Sequence, residues 1–101
     1  MNVIWTKRGT NRLRENFRYI WQKFYPQYAE AFRADAMRMV RLLEDNPDLG
    51  EEAFKELNRP ELRRILCANH QHFIYYRRGK KVCEILSVRH TLMDIRSPRQ
   101  L

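Results

Sequence analysis

The sequence lacks any apolar run approaching the roughly 20 residues that a transmembrane helix needs, so we expect no membrane span. Its first segment, MNVIWTKRGT, has neither the apolar stretch nor the cleavage site of a signal peptide, which predicts a cytoplasmic protein with no membrane partner. Cysteines are few, and Cys67 and Cys83 form no CxxC motif, so we expect two reduced thiols buried among apolar residues. Internal repeats and low-complexity tracts are also missing.

Acidic residues are scarce compared with basic ones. The chain has 12 Asp and Glu against 20 Lys and Arg, which gives a formal net charge of +8. Basic residues outnumber acidic ones nine to three in residues 1–43 and nine to two in residues 62–101, whereas residues 44–61 have two basic and seven acidic residues. Such a field favours a polyanion or an acidic protein as partner, without choosing between them. A length of 101 residues predicts a single domain, residues 1–101.

Two helices are predicted in the first half of the chain. The apolar stripe of the first helix is made of Leu13, Phe17, Ile20, Trp21 and Phe24. Thr10 is the expected N-cap of this helix. Pro26 interrupts the stripe and suits the first turn of a second helix, expected from about Gln27 to Asp45, where Asn46-Pro47 stops it. Two long helices joined by one tight turn should pack as an antiparallel hairpin.

The period of the apolar residues changes from 3.6 to 2 in the second half. The predicted strands are residues 3–6, 62–68, 72–78 and 82–90. Short links between the last three strands predict an antiparallel meander. Residues 46–61 are turn-rich and acidic, which predicts a loop with room for one helical turn, and residues 95–101 are expected to form a flexible or partner-ordered tail.

The order of these elements predicts an α+β fold, β-α-α-β-β-β. The helical hairpin should cover one face of a small, mainly antiparallel sheet and leave the other face open or partly open. An open face rimmed by arginines is a binding surface by default.

Cationic and aromatic residues on the strands suggest RNA cleavage as one candidate activity. Metal-free cleavage needs an acid, a base and cations for the charged transition state. His90 could act as acid or base, with arginines such as Arg64, Arg77 or Arg89 stabilising the charge. Glu84 should face the same side as His90, but six residues along a strand is roughly 20 Å, so the two cannot meet and the catalytic set is incomplete.

Metal binding and serine catalysis find less support in the sequence. The soft and imidazole ligands are Cys67, His70, His72, Cys83 and His90. They form neither a CxxC nor an HxxxH motif, and both cysteines are expected in the core, so we predict no metal site and no cofactor. Ser87 and His90 lie three residues apart on one strand and should face opposite sides.

The ordered segments VIWTKRGTNRLRENFRYIW, NPDLG, LRRILCANHQHFIYYRRG and CEILSVRHTLMD resemble the RelE/ParE superfamily of bacterial toxins over nearly the whole chain. The resemblance implies a type II toxin–antitoxin module, in which an acidic, partly disordered segment of a cognate antitoxin wraps and silences a small basic toxin. The family's fold agrees with the predicted β-α-α-β-β-β order. Both the charge and strand or helix addition would contribute to such binding.

Two branches of the superfamily imply different activities. A RelE-like toxin cuts messenger RNA on the ribosome, and this reading assigns catalysis to Arg64, Tyr76, Arg89 and His90. A ParE-like toxin lacks that catalytic set and poisons DNA gyrase. The long helices, the NPDLG segment and the tail after His90 favour the ParE-like reading, and such modules are associated with plasmid stabilization.

The role of the end of the last strand differs between these readings. On the ParE-like reading, the surface that contacts the antitoxin or the target comprises Arg63, Arg64, Arg77, Arg89 and His90. A structural alternative has His90 hydrogen-bonded to the backbone to direct the exit of the tail. A plain nucleic-acid-binding module is a further alternative, because aromatic residues alternate with the cations.

Overall fold

The helices and strands follow one another in the predicted order. A computed structural model describes residues 1–69 and 71–101. The strands are β1 (Asn2–Trp5), β2 (Glu51–Glu52), β3 (Leu62–Cys67), β4 (His72–Arg78) and β5 (Val82–His90), and the helices are α1 (Lys7–Lys23) and α2 (Pro26–Asp45). Two single 3-10 turns, Lys55–Leu57 and Pro98–Gln100, lie outside them. The predicted α+β class and element order are confirmed, with β2 as an added strand.

The five strands form one sheet in the order β1-β5-β4-β3-β2. β1 runs parallel to β5, while the other neighbours are antiparallel. The prediction of a strandless loop over residues 46–61 is wrong at β2, where Glu51 and Glu52 pair with Arg64 and Arg63 of β3. Opposite charges across the pair, with Glu51 Oε1 2.9 Å from Arg64 Nε, favour this short strand despite its poor propensity.

The first helix is capped by Thr6, so the prediction of Thr10 as its N-cap is wrong. The Thr6 hydroxyl accepts a hydrogen bond from Gly9 N at 3.0 Å and donates one to Ile85 O at 2.7 Å. Thr10 already lies in the first turn, where its N–H bonds to Thr6 O. A side chain at position 9 would overlap Ile85 O, because α1 begins directly against β5. The sheet therefore selects the cap.

The helical hairpin packs on one face of the sheet and forms the main core. This core contains Phe32, Ala36, Val40, Leu43, Ile65, Cys67, Ile74, Tyr76, Cys83, Ile85 and Val88. α2 provides four of these residues, whereas α1 contributes partly buried residues such as Leu13, Phe17 and Ile20. Both cysteines are buried and unbridged, as predicted.

The second face of the sheet is covered in its middle, so of the two expected outcomes it is partly open rather than open. A second cluster joins Leu62 and Tyr75 of the sheet to Phe54 and Leu101. The tail folds back here: Leu101 is only 4% exposed, although residues 95–101 were expected to be flexible or ordered by a partner. Apolar side chains at the ends of two irregular segments cover apolar strand residues, and sequence periodicity does not register such isolated contacts.

Candidate binding surfaces

The structure divides the predicted cationic surface between the two faces of the sheet. Arg64, Arg77 and Arg89 lie on the second face, since their cross-strand neighbours there include Tyr75, Leu62 and Phe73, respectively. Arg63 and His90 lie on the helix-covered face, opposite Tyr76 and His72. Side chains on opposite faces cannot converge on one small ligand, so these five residues are divided between two surfaces.

A bulge in β5 overturns the predicted orientation of Glu84. Tyr75 pairs with Ser87 and Tyr76 pairs with Ile85, so β5 has one residue more than β4 between these pairs. The extra residue reverses the alternation of side chains. Glu84 therefore faces Arg77 on the second face while His90 faces His72 on the helix-covered face, and the prediction that both share a side is wrong.

Tyr76 is a structural residue at the centre of the main core. It is fully buried, and its hydroxyl donates to Pro47 O at 2.8 Å and accepts from Gly50 N at 2.9 Å. Burial raises the pKa of Tyr76 above its ordinary value. Arg63 binds the same segment, with its Nε 2.9 Å from Gly50 O. The NPDLG segment is thus tied to the sheet, and the Tyr76 hydroxyl is used in doing so.

His90 directs the exit of the tail. Its Nδ1 accepts a hydrogen bond from Leu92 N at 3.1 Å, which confirms the structural alternative considered for this residue. Its ring lies 5.1 Å from that of His72, which in turn packs against Phe32 at 4.7 Å. Burial and the neighbouring His90 lower the pKa of His72 to about 4. The folded chain therefore favours the neutral imidazole of His72.

The arginines of the second face are mostly engaged by the chain itself. The Arg64 guanidinium lies over the Phe73 ring, 4.0 Å from its centre, and also pairs with Glu51. Arg77 Nε is 2.8 Å from Glu84 Oε1. In contrast, Arg89 Nε is buried with no hydrogen-bond partner in the described part of the chain, and burial together with Arg12 lowers the pKa of Arg89. Of Arg64, Arg77 and Arg89, only Arg89 has a buried N–H without a partner among the described residues.

The residues assigned to RNA cleavage are not brought together. Arg64 and Arg89 lie on the second face, whereas Tyr76 and His90 lie on the other. Among residues 1–69 and 71–101, no group of three or more His, Cys, Asp and Glu side chains could hold a metal ion. His70, considered above as a ligand, lies outside the described residues. The described geometry thus does not assemble the catalytic set considered for RNA cleavage.

A groove between α2 and the edge of the sheet was not anticipated from the sequence. Its volume is about 460 Å³, and its apolar wall includes Met39, Leu42, Leu49, Leu66 and Phe73. Arg38, Arg64 and Glu51 form its polar rim. β2 pairs with β3 only as far as Arg64, so in the described structure residues 65–67 have a strand partner only on the β4 side. An apolar groove beside an open strand edge suits an extended peptide.

The closed end of the helical hairpin exposes a second apolar surface, here called the hairpin tip (residues 19–28). Its exposed aromatic residues are Tyr19, Trp21, Phe24, Tyr25 and Tyr28. Trp21 and Phe24 continue the stripe of α1 in sequence, which predicts that they are buried, but both are exposed in the structure. Their exposure was therefore missed, although Tyr19, which lies off the stripe, was a signal for it.

No helix in the part of the chain that the structure describes is long and apolar enough to cross a membrane. Fold and surfaces together define a class: a small basic α+β protein with a helical hairpin on a five-stranded sheet, and with apolar surfaces at a strand edge and at the hairpin tip.

Comparison with known proteins identifies the family. A family model described as the ParE toxin of the type II toxin–antitoxin system parDE matches residues 3–95, so the chain belongs to this toxin family. No curated protein was found to match the sequence. Among solved structures, the chain is similar to one from the chromosomal ParDE system of P. aeruginosa, with a TM-score of 0.73 and 19% identity over 89% of this chain and 95% of the other. That likeness supports the fold.

Proposed function

We propose that the chain is the toxin of a type II module that inhibits DNA gyrase by binding it, and that a cognate antitoxin neutralises the toxin. One observation carries the choice of a binding mechanism: the sheet separates Arg64 and Arg89 from Tyr76 and His90. The proposed module acts in the cytoplasm and would stabilise a plasmid that carried it.

The chemistry of RNA cleavage supplies the argument against the nuclease alternative. During catalysis the enzyme's acid, base and cations must all lie within hydrogen-bond reach of the reacting groups of the RNA. These groups are the nucleophilic 2′-hydroxyl, the leaving oxygen and the charged phosphate between them. Here the Tyr76 hydroxyl is hydrogen-bonded to the backbone of Pro47 and Gly50, and His90 Nδ1 accepts a hydrogen bond from the backbone N–H of Leu92. A poison that works by binding does not need these groups to converge.

The groove beside β3 supports the antitoxin part of the proposal. An acidic, partly disordered segment can add a strand to residues 65–67, place apolar side chains against Leu42 and Leu66, and bring its carboxylates to Arg38, which is 58% exposed beside its partner Asp35. Charge attraction to a chain of net charge +8 would speed this association at low salt.

Gyrase inhibition is tested with purified toxin, gyrase and plasmid DNA. We expect loss of supercoiling, relieved by an equimolar amount of the antitoxin. Preserved inhibition in the joint variant Arg64→Ala and His90→Ala would agree with a binding mechanism. Unaltered supercoiling at saturating toxin would refute the gyrase target.

The nuclease alternative has its own measurement. After induction, the 5′ ends of cellular transcripts are mapped with wild type and with the same joint variant. In-frame cuts that vanish in the variant would replace the gyrase proposal with a RelE-like activity. We expect no such cuts.

A further inference from the structure

The hairpin tip exposes a large aromatic surface to solvent. Its five aromatic residues are between 46% and 60% exposed. Every residue from 21 to 28 is exposed, so the helices stop contributing to the core before the hairpin closes. Large apolar patches left in water mark interaction sites in soluble proteins.

The aromatic rings at the tip are held in defined positions. Tyr19 and Phe24 pack edge to face with ring centres 6.3 Å apart, and Tyr25 and Tyr28 do so at 5.6 Å. Rings fixed by such contacts lose little conformational freedom when a partner binds. Neither of these two pairs offers the parallel platform on which successive nucleic-acid bases stack, and the Trp21 ring packs on Phe17 at a tilt of 31°.

Cations without counter-charges flank these rings. Arg14, Arg18 and Lys23 are exposed, and none forms an ion pair with any residue that the structure describes. On the same helices, in contrast, Arg12 pairs with Glu15 and Arg33 pairs with Glu30. Tyr, Trp and Arg together are typical of the centres of protein–protein interfaces. The unpaired cations select an acidic partner and oppose docking of a second, equally basic copy.

The hairpin tip is separate from the groove beside β3. Tyr28 and Arg38, the groove residue of α2 nearest the tip, are 10 residues apart, which is about 15 Å along a helix axis at 1.5 Å per residue. An extended segment in the groove therefore leaves the tip accessible, and the two surfaces suit two different partners.

We propose that the hairpin tip is the surface with which the toxin contacts its target protein, and that it recognises an acidic surface with an apolar cleft. The proposal rests on the proposed function, because it assigns the target rather than the antitoxin to the tip. Aromatic side chains enter the cleft while Arg18 and Lys23 face its acidic rim.

The test compares full-length variants with matched controls. One pair changes apolar surface: Tyr25→Ser with Tyr28→Ser at the tip, against Leu57→Ser, which is 47% exposed elsewhere. The other removes two charges: Arg18→Gln with Lys23→Gln, against Lys80→Gln with Lys81→Gln in the exposed turn after β4. Binding to immobilised purified gyrase, affinity for the antitoxin, and the induction level that arrests growth are measured for each.

We expect the tip variants to bind gyrase at least about tenfold more weakly and to need correspondingly higher induction, with antitoxin affinity within about twofold of wild type. The controls should match wild type. The proposal would be overturned if growth arrest were unchanged in the tip variants, or if their antitoxin affinity fell in step with their toxicity. It would also be overturned if the wild type formed a dimer that the tip variants did not form. So would a defect confined to DNA or RNA binding.

The same measurements distinguish an error in the proposed function from an error in the tip proposal. If the wild type arrests growth without binding gyrase, gyrase is not the target, and weaker arrest by the tip variants still supports the tip as the target surface. If the wild type inhibits gyrase and the tip variants do so equally, the proposed function stands and the tip proposal falls.

Discussion

The two faces of the sheet are covered in different ways. The hairpin of α1 and α2 covers one face with regular apolar stripes, and residues such as Leu43, Ile74 and Ile85 become fully buried there. The other face is covered by Phe54 and Leu101 from irregular segments, with arginines and their partners around them. Regular helices exclude water over a wide area, whereas short segments cover only patches. We therefore expect the helix-covered face to supply most of the stability and the second face to be more adaptable.

The largest expected effect is on the helix-covered face. Leu43→Ala should lower the free energy of unfolding by about 3 to 4 kcal/mol, because Leu43 is fully buried and the helices cannot collapse into the cavity. Urea unfolding measures the change. Leu62→Ala on the second face is the matched comparison, with an expected loss of about 2 kcal/mol since its irregular cover can relax. Equal losses would contradict the difference between the faces.

A pH-dependent loss of stability should come from the same face. The pKa of His72 is lowered from 6.5 to about 4 in the folded chain, so the folded state disfavours protonation. The free energy of unfolding is therefore unaffected by His72 above about pH 6.5. It falls by up to about 3 kcal/mol as the pH drops from about 6.5 towards 4, because the unfolded chain takes up the proton first.

Carboxylates also titrate near the lower end of that range, so the measurement is the difference between wild type and His72→Leu. The groups facing or near His72 are His90, Cys67 and, beyond Cys67, Asp35. The free energy of unfolding of the wild type minus that of His72→Leu should decrease as the pH falls, because only the wild type loses the contribution of His72. Two stability curves that stay parallel from pH 7 to about pH 4 would show that His72 does not contribute.

The residues that cover the second face should contribute less to stability than the helices that cover the first face. Leu101→Ala should cost about 2 kcal/mol or less, because Leu101 is buried against Tyr75 by a short turn rather than a helix. Hydrogen exchange of the backbone around this turn should accelerate more than exchange in α2. If global unfolding falls as far as in Leu43→Ala, the tail belongs to the main cooperative unit.

The smallest expected effect concerns an ion pair of the second face. Arg77 and Glu84 are paired across β4 and β5, with 44% and 25% of their side chains exposed. Arg77→Gln should therefore cost less than about 1 kcal/mol, and the difference from wild type should shrink at high salt. Thermal unfolding at two salt concentrations measures it, with Arg14→Gln as control, because Arg14 is exposed and forms no ion pair with the described residues. A loss above about 2 kcal/mol would mean that the pair is more shielded from solvent than its exposure indicates.

Local patterns predicted the elements well because each depends on near neighbours. Pro26 begins α2, Asn46 ends it, and β4 and β5 span the predicted residues 72–78 and 82–90. Predictions that depended on long-range contacts were less successful. The bulge at residues 85–87 reverses the side of Glu84, and Thr6 replaces Thr10 as a cap because β5 lies against it.

The sequence alone determined the basic charge, the order of helices and strands and, through ordered segments such as NPDLG and CEILSVRHTLMD, the resemblance to the ParE-like toxins. Composition, periodicity and such segments are properties of the chain itself. The tertiary structure alone decided which cations share a face, that the Tyr76 hydroxyl is already bonded, and that the aromatic residues of the hairpin tip stay in water. These depend on how the elements pack and on where a strand gains a residue. Neither is encoded in the spacing of residues along one element.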